Sequence, residues 1–465
     1  MPFANAKALG KANGRLSSHR TCPYVEKMQF GPTRPRIAAS ALTTPHFLLL
    51  FAAMLVAAAG NTALQSVMPA IGRDIGMSDF WVTMSYTWSA ILWVSLAPYW
   101  ARKSDVHGRK RLTMMGVGGF VVSMTLCGLA LLAGMKGLIG PTLTFVLFGL
   151  FRSIYGSLGC ATPSATQAYL ASKTRRSGRV PALSSLSSSF GLGTIVGPAL
   201  APLFVLPFVG LSGPMFAFAA IGLVTLIAVA RWLPDDSKPR HGRRAGHGAA
   251  MSYPSLASSP TGASVVAATN PRAAPMNWCD RRIRNWIIAG VAAGHAQAAA
   301  LSCIGFFTID RLHLAPHGSE QEIAIVMMAG AAATLAAQWG LIPRLNLAPR
   351  SLILWGSAVA AAGMVVTMMA SDLYGLVLGF GITSLGFGFT RPGFTGGASL
   401  AVPLTEQGGV AGVVTAANGI SYVAAPGVGM ALYGIDPHWP FAVSAALLLA
   451  LVLWGRHRLA APRQD

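Results

Sequence analysis

The sequence predicts an all-α membrane protein of twelve transmembrane helices, arranged as two halves of six. Three observations predict this class: apolar runs of about 20 residues recur from Pro45 onward, only 11% of the 465 residues are charged, and lysine and arginine fall between the runs. The mean hydropathy of +0.54 is too high for a soluble globular domain. Each run is long enough to cross the hydrocarbon as a helix, and runs that are continuous rather than alternating exclude a β-barrel.

The predicted spans follow one another closely, with one long interruption. They are residues 46–70, 80–100, 112–134, 142–170, 182–205, 210–233, 284–308, 321–343, 350–370, 373–398, 408–433 and 439–456. The interruption is rich in Pro, Ser, Ala, Gly and Arg, which is typical of a linker. The predicted parts are a cytoplasmic tail at 1–44, an N-terminal half at 45–233, a cytoplasmic linker at 234–283, a C-terminal half at 284–457 and a second tail at 458–465.

The first 44 residues are polar and basic, and they lack the apolar core of a signal peptide. We predict a disordered tail. The alternative is an overlong start, with Met28 as the true first residue.

Lysine and arginine predict the orientation, because short loops rich in these residues stay in the cytoplasm. With both termini in the cytoplasm, nearly all of the 35 cations lie on that side, and the opposite side holds Arg73, Lys136 and Arg311. The predicted location is the bacterial inner membrane. The net charge of +21 then reflects topology and not nucleic-acid binding, which would gather the cations on one folded polar face.

The sequence contains no pattern that is typical of an enzyme or a metal site. Its five cysteines form no close pair and no metal-ligand spacing, so we predict free thiols. No motif of the CxxC, HExxH, GxxxxGK[ST] or GxSxG type appears in the sequence context that its chemistry needs. We therefore predict no catalysis, no metal and no cofactor.

The connection between the second and third spans, Ala101–Arg111 (ARKSDVHGRKR), is the most charged short stretch. Asp105 and Arg109 are four residues apart and can pair if the segment is helical. The stretch resembles GxxxDxxGR[KR], the signature loop of the major facilitator superfamily, with Ala101 in place of the first glycine.

This resemblance implies the major facilitator fold and a conformational latch on the cytoplasmic side. The latch would close against the start of the eleventh helix at Gly408–Gly412, and its residues are Asp105, Gly108, Arg109 and Lys110. The alternative is that these charges only enforce topology.

The fifth span contains Gly193, Gly197 and Pro198 in FGLGTIVGPALAP. The two glycines lie on one face and allow close helix contact, while proline removes a backbone donor and bends the helix. The pattern resembles the motif of the drug-exporting, proton-coupled antiporters of the superfamily, although Ala201 and Pro202 replace its usual final glycines. The alternative is a generic packing helix.

Two arginines lie inside predicted spans, where a charge is costly and normally faces a cavity or a partner. Arg152, with Gly156 four residues on, resembles the family's fourth-helix motif, which implies a role in proton transfer. Its alternative is snorkelling to the membrane interface. Arg391 precedes Pro392 and Gly393, and a break of the tenth helix beside a charge suits a gate or a binding site. The alternative is that the long side chain of Arg391 reaches the membrane interface.

Proton coupling needs a titratable group, yet no acidic residue falls in the middle of a predicted span. The candidates are His295, the only histidine in mid-span, and Asp310, at the outer end of the seventh span. The alternative for His295 is a packing residue with satisfied hydrogen bonds.

Uncharged hydrogen-bonding and aromatic side chains lie on helices that line the cavity in this fold. The candidate cavity residues are Asn61, Gln65, Tyr86, Trp88, Gln338 and Asn418. Such a set suits a hydrophobic or amphipathic compound, and the alternative for most of these residues is helix packing.

The sequence therefore predicts a secondary active transporter that exports a hydrophobic or amphipathic small molecule by proton antiport with alternating access. It would act as a monomer in the lipid bilayer and bind a small-molecule substrate, with the proton gradient as its energy source and no cofactor. The alternatives are a proton-coupled uptake symporter for a small organic solute on the same fold, and a non-transporting membrane receptor.

Overall fold

The computed structural model describes residues 45–173, 176–235, 276–345, 347–403 and 406–459. The predictions for the tails and for most of the linker fall outside these residues. The described residues form helices joined by short connections. Four of the five cysteines belong to them, and all four are free thiols.

We number the helices of the described ranges α1 to α12. Ten of them are α1 Pro45–Asp74, α2 Asp79–His107, α3 Arg109–Met135, α5 Arg176–Leu200, α6 Gly213–Trp232, α7 Arg284–Arg311, α9 Pro349–Met369, α10 Leu373–Leu400, α11 Gln407–Tyr433 and α12 Trp439–Arg458. The other two contain a π-helical turn: α4 is Pro141–Ile154, the turn Tyr155–Gly159 and Ala161–Lys173, and α8 is Glu320–Leu335, the turn Ala336–Leu341 and Ile342–Leu345.

The predicted all-α membrane fold is confirmed. Within the described ranges, nine helices are long and apolar enough to cross a membrane by themselves. The remaining three are α2, α5 and α11, and the count of twelve spans stays a prediction.

The charged stretch after the second span is a helix for most of its length and not the loop that the sequence predicts. α2 continues through Ala101 to His107, and α3 begins at Arg109. The apolar run ends where the hydrocarbon would end, but alanine, arginine and lysine favour helix and extend it into water. Gly108 separates the two helices with φ of 87°, a conformation that other residues rarely adopt.

We name the two ends of the bundle after their residues. At the Arg73 end, α1, α7 and α11 terminate close together, because Arg73 and Tyr433 both bond to Asp310. The Gly108 end is the opposite one, where α2 passes into α3.

Glycine lets neighbouring helices approach to backbone contact, above all between α9 and α10. A Cβ atom at Gly363 would lie 2.3 Å from the backbone nitrogen of Thr383, and one at Gly379 would lie 2.6 Å from that of Thr367. Small residues at such contacts are the usual means of helix association in lipid, where no hydrophobic force draws helices together.

Contacts also join the helices before the linker to those after it. A Cβ at Gly419 of α11 would lie 2.7 Å from Val94 of α2, and one at Gly191 of α5 would lie 3.1 Å from Leu335 of α8. These two contacts flank the interior of the bundle, which contains the cavity described below. The division into two six-helix halves stays a prediction.

The seam between α9 and α10 can be tested with two glycines on α10. Gly379→Ala places a methyl group against the backbone of α9, so we expect a loss of about 1–3 kcal/mol and a thermal unfolding temperature several degrees lower in detergent. Gly381→Ala is the control, because a Cβ there would meet nothing within 4 Å and alanine favours helix. Equal unfolding temperatures for the two variants would contradict the seam.

Candidate functional site

A cavity lies between α1, α2, α7, α8 and α11. Its empty space of about 670 Å³ includes solvent at the cavity's opening. Most of its wall is made of alanine, glycine, valine, leucine, methionine and proline. The aromatic and polar residues of the wall are Tyr86, Phe306, Tyr422, Gln65, Thr83 and Ser302, and every residue of the wall is uncharged.

The structure brings some of the predicted cavity residues together and separates others. Gln65 and Tyr86 line the cavity. Trp88 lies on another face of α2, is 52% exposed and donates from Nε1 to the Ser153 hydroxyl at 2.8 Å. Gln338 is half-buried in the π-helical turn of α8 and does not belong to the wall.

Asn61 and Asn418 lie one helical turn from wall residues and are both buried. Asn61 accepts a hydrogen bond from Arg152, and Asn418 donates to the carbonyl of Val414 at 3.1 Å. Both asparagines thus lie beside the cavity and not on its wall.

Arg152 is completely buried, so it does not snorkel to an interface. Its side chain extends from α4 toward α1 and α2. There the guanidinium donates a hydrogen bond to the side-chain oxygen of Asn61. Its Cζ lies 5.6 Å from the ring centre of Tyr86 and 4.8 Å from that of Tyr155. Aromatic faces stabilise a cation that has left water, which explains how this arginine is tolerated.

His295 and Arg391 occupy the interior near α11. His295 is half-buried, and its Nδ1 lies 2.8 Å from the Val291 carbonyl and 3.2 Å from the Ser421 hydroxyl. Arg391 is buried on α10. Neither side chain lies on the cavity wall.

A polar cluster at the Arg73 end joins four helices. Arg73 of α1 donates two hydrogen bonds to Asp79 of α2, at 3.2 and 2.7 Å, and also pairs with Asp310 of α7. The Tyr433 hydroxyl of α11 donates to Asp310 at 2.5 Å. These charge-assisted bonds link α1 and α2 to α7 and α11 across the bundle, directly beside the cavity residue Phe306.

The fifth-helix motif makes a close contact with α1. A Cβ at Gly193 would lie 2.7 Å from that of Ala58, and one at Gly197 would lie 2.2 Å from the carbonyl oxygen of Ala59. Thr62 donates to the Gly193 carbonyl at 3.2 Å. Pro198 follows near the end of α5, which terminates at Leu200.

The Gly108 end carries the predicted latch. Asp105 belongs to α2, but its side chain lies outside the described residues, so the latch stays a prediction. Arg109 is half-buried in the first turn of α3. Lys110 donates to the Ala230 carbonyl at 2.9 Å, where it caps the C-terminal end of α6.

An exposed charge cluster lies beside α7 and α11 at the same end. Arg282 donates to both Asp280, at 2.8 Å, and Glu406, at 2.7 Å. The side-chain hydrogen bond from Arg282 is the main cause that lowers the pKa of Asp280 to about 2. Asp280 therefore stays ionised above pH of about 4, and this pairing weakens only as the pH falls toward 2.

The sequence matches the model of one protein family. The match covers residues 50–347, more than half of the chain, and the family is described as Major Facilitator Superfamily. The chain belongs to the Major Facilitator Superfamily. It is therefore a multi-pass membrane transporter and not an enzyme, as the sequence predicts.

Similar proteins occur in several bacteria. Multidrug resistance protein 3 of Bacillus subtilis (strain 168) is 27% identical over 195 residues, which are 41% of this chain and 35% of that protein. The probable actinorhodin transporter of Streptomyces coelicolor is 24% identical over 38% of this chain and 29% of its own length. Multidrug resistance protein MdtG of Proteus mirabilis is 23% identical over 39% and 43%. The matched regions thus cover less than half of each relative.

A crystal structure supports the superfamily fold over nearly the whole chain. The human organic anion transporter MFSD10 (TETRAN) aligns with a TM-score of 0.58, covering 89% of this chain and all of that one. At 17% sequence identity the likeness concerns the fold.

Sequence reasoning missed most of the cavity wall and the partners of Asp310. The sequence alone shows Arg73 only as a cation of a short connection, and it indicates no role for Asp79 or Tyr433. One signal was present: Arg73 and Asp79 flank the first connection as a close opposite-charge pair. Within the described residues, no group of His, Cys, Asp and Glu is placed to hold a metal ion.

The Arg73 cluster should limit access to the cavity from its own end. In a Ser302→Cys reporter that also carries Cys22→Ala and Cys279→Ala, which leave only native thiols that are buried, we expect Asp310→Asn to speed labelling by a maleimide that cannot cross membranes. The pairs are partly exposed and worth about 1 kcal/mol, so the expected increase is about fivefold.

Asp436→Asn is the matched control. Asp436 lies at the same end but bonds to His438 and not to Arg73. The parent with Cys22→Ala and Cys279→Ala but without Ser302→Cys measures labelling of the native thiols that remain, which are buried. Equal labelling rates with Asp310→Asn and Asp436→Asn would show that the cluster does not limit access to the cavity.

Proposed function

We propose that this superfamily transporter exports a hydrophobic or amphipathic small molecule from the cytoplasm in exchange for protons. The observation that carries the proposal is the cavity between helices on both sides of the linker, with its mostly apolar wall and a few uncharged hydrogen-bonding groups. The apolar wall would replace the apolar contacts that such a molecule loses when it leaves the bilayer, and the polar groups would orient the bound molecule. The printed names of bacterial relatives, which include multidrug resistance proteins, support export.

Alternating access would move the cavity's opening from one end of the bundle to the other. In the structure, ion pairs join α1 and α2 to α7 at the Arg73 end. We propose that this end faces the outside of the inner membrane and that the Gly108 end faces the cytoplasm, because the cations cluster at the latter. The Asp105 latch would hold the cytoplasmic end when the Arg73 cluster opens.

Proton coupling would act through Asp310. A proton on this carboxylate removes the negative charge that holds Arg73, so acid outside would favour opening at the Arg73 end. His295 lies on the same helix, nearer the cytoplasmic end, and is the second titratable candidate. Arg152 and Arg391 would set the charge around the cavity and not carry the proton, since guanidinium groups hold theirs firmly.

Accumulation in cells distinguishes export from uptake. In an efflux-deficient bacterium that expresses the protein, we expect resistance to toxic amphipathic compounds and lower accumulation of a fluorescent one, both reversed by an uncoupler. A proton-linked uptake symporter would instead raise accumulation, and the uncoupler would lower it.

Arg152→Gln should reduce export about tenfold or more, because it removes a buried charge that bonds to Asn61 beside the cavity. The matched control is Arg231→Gln, an exposed arginine in the last turn of α6. Both variants need equal amounts in the membrane for the comparison. Full export by Arg152→Gln, or equal losses in the two variants, would reject the role of Arg152.

A further inference from the structure

The Arg73 cluster holds two carboxylates and one guanidinium, so it carries one unbalanced negative charge. Arg73 donates from Nε and Nη2 to the two oxygens of Asp79, at 3.2 and 2.7 Å. Its Nη1 and Nη2 also donate to the two oxygens of Asp310, the second bond being 2.9 Å long. The nitrogen Nη2 is therefore shared between the carboxylates. Two acids compete for one cation, and a single proton would make the cluster neutral.

The bonds of the cluster form two pairs and one link between them. Arg73 and Asp79 join α1 to α2, on the N-terminal side of the linker. Asp310 and Tyr433 join α7 to α11, on the C-terminal side, where the tyrosine hydroxyl donates to Oδ2 of Asp310 at 2.5 Å. The bond of Arg73 with Asp310 links the two pairs. Loss of this link leaves both pairs intact.

Asp310 is the carboxylate at which a proton would break the link. Its Oδ1 accepts from Arg73, and its Oδ2 also accepts from Tyr433, so a proton on Oδ1 displaces the arginine without displacing the tyrosine. A proton on Asp79 would instead leave the link in place. The Asp310 side chain is 38% exposed and that of Asp79 is 22% exposed, so water reaches Asp310 more readily.

We propose that a proton from the outside divides the cluster into its two pairs, and that Asp79 and Tyr433 are the positioning residues of this step. Asp79 keeps Arg73 paired when the link breaks, so the guanidinium retains a carboxylate partner. Tyr433 keeps Asp310 bonded to α11. The break is confined to the seam between the two pairs, beside the cavity residue Phe306. The inference rests on the proton exchange proposed above.

Histidines at the same end respond to acid in the opposite sense or act elsewhere. Nδ1 of His317 lies 2.8 Å from Asp74, so its charged form would bind α1 more firmly to the connection between α7 and α8. The backbone nitrogen of His313 donates to the carbonyl of Asp310 at 3.3 Å, and a charge on its ring would favour the ionised carboxylate. His438 pairs within the connection between α11 and α12. Opening in acid would therefore come from a carboxylate.

The distance across the seam, measured against pH, tests the division. Spin labels are attached at Lys136→Cys, between α3 and α4, and at Ser371→Cys, between α9 and α10, which are both exposed at the Arg73 end. The background carries Cys22→Ala and Cys279→Ala, and without the two new cysteines it measures labelling of the remaining native thiols. In the purified full chain, we expect double electron–electron resonance to show a longer distance as the pH falls from about 8 to about 4.

The two positioning residues should shift the midpoint of this pH response in opposite directions. With Asp79→Asn, Arg73 no longer has its second carboxylate and holds Asp310 more firmly, so the midpoint should fall by about one pH unit. With Tyr433→Phe, the ionised Asp310 loses a donor, so the midpoint should rise by about half a pH unit or more. A merely structural role would loosen the seam in both variants and raise both midpoints.

Two further variants serve as controls. Asp79→Glu keeps the charge and should restore most of the wild-type midpoint, and Asp436→Asn, at the same end, should leave the midpoint unchanged. Midpoints that move in the same direction for Asp79→Asn and Tyr433→Phe, or that do not move, would overturn the inference. A wild-type distance that does not respond to pH would overturn it as well.

The division of the cluster and the export function fail separately, because the first is measured on purified protein and the second by accumulation in cells. Export that persists without the opposite shifts rejects the division alone. The opposite shifts without export reject the exporter alone.

Discussion

Backbone contact between helices is the interaction on which the rest of this structure depends. Apolar side chains gain little by leaving lipid for each other, so helices associate where small residues let their backbones meet. Gly193 and Gly197 bring α5 onto Ala59 and Thr62 of α1. Successive residues of a helix are about 100° apart, so the face of α1 that meets α5 leaves Gln65 to point into the cavity. A packing contact outside the site thus decides which polar groups the site contains.

The interior charges follow from the same constraint. A guanidinium that has left water needs compensating contacts, and Arg152 finds them in an amide and two aromatic rings. Carboxylates remain at the helix ends, where Asp310 and Arg73 connect separate parts of the bundle. Backbone contacts, such as those of α9 with α10 and of α5 with α1, therefore join helices on one side of the linker. The contacts across the linker at Gly419 and Gly191, and the ion pair of Arg73 with Asp310, are made by side chains. Such a division allows the groups to move as bodies when the ion pair breaks.

The sequence predicts most helix ends within a few residues, because hydropathy marks where hydrocarbon begins and ends. It mispredicts the end of α2, since a helix with residues of good propensity continues into water until Gly108 turns the chain. For the cavity, the main source of error in the prediction is the direction in which each side chain points around its helix. Tyr86 lines the wall and Trp88, about 200° further around α2, does not. The pairing of Arg73 with Asp310 joins residues 237 apart, which no local pattern encodes.

The described spans have no carboxylate in their middle, so a proton exchanged for the substrate would have to bind at an edge, such as at Asp310. A proton that enters in exchange for a neutral compound carries one positive charge inward, and an inside-negative potential of 100 mV favours that movement by about 2.3 kcal/mol. The potential acts on the net charge that crosses the whole membrane, whichever residue binds the proton on the way. The edge position of Asp310 therefore costs the proposed exchange none of its electrical driving force. It places the titrating group on the ion pair that joins α1 to α7, where loss of the charge acts directly on the conformation.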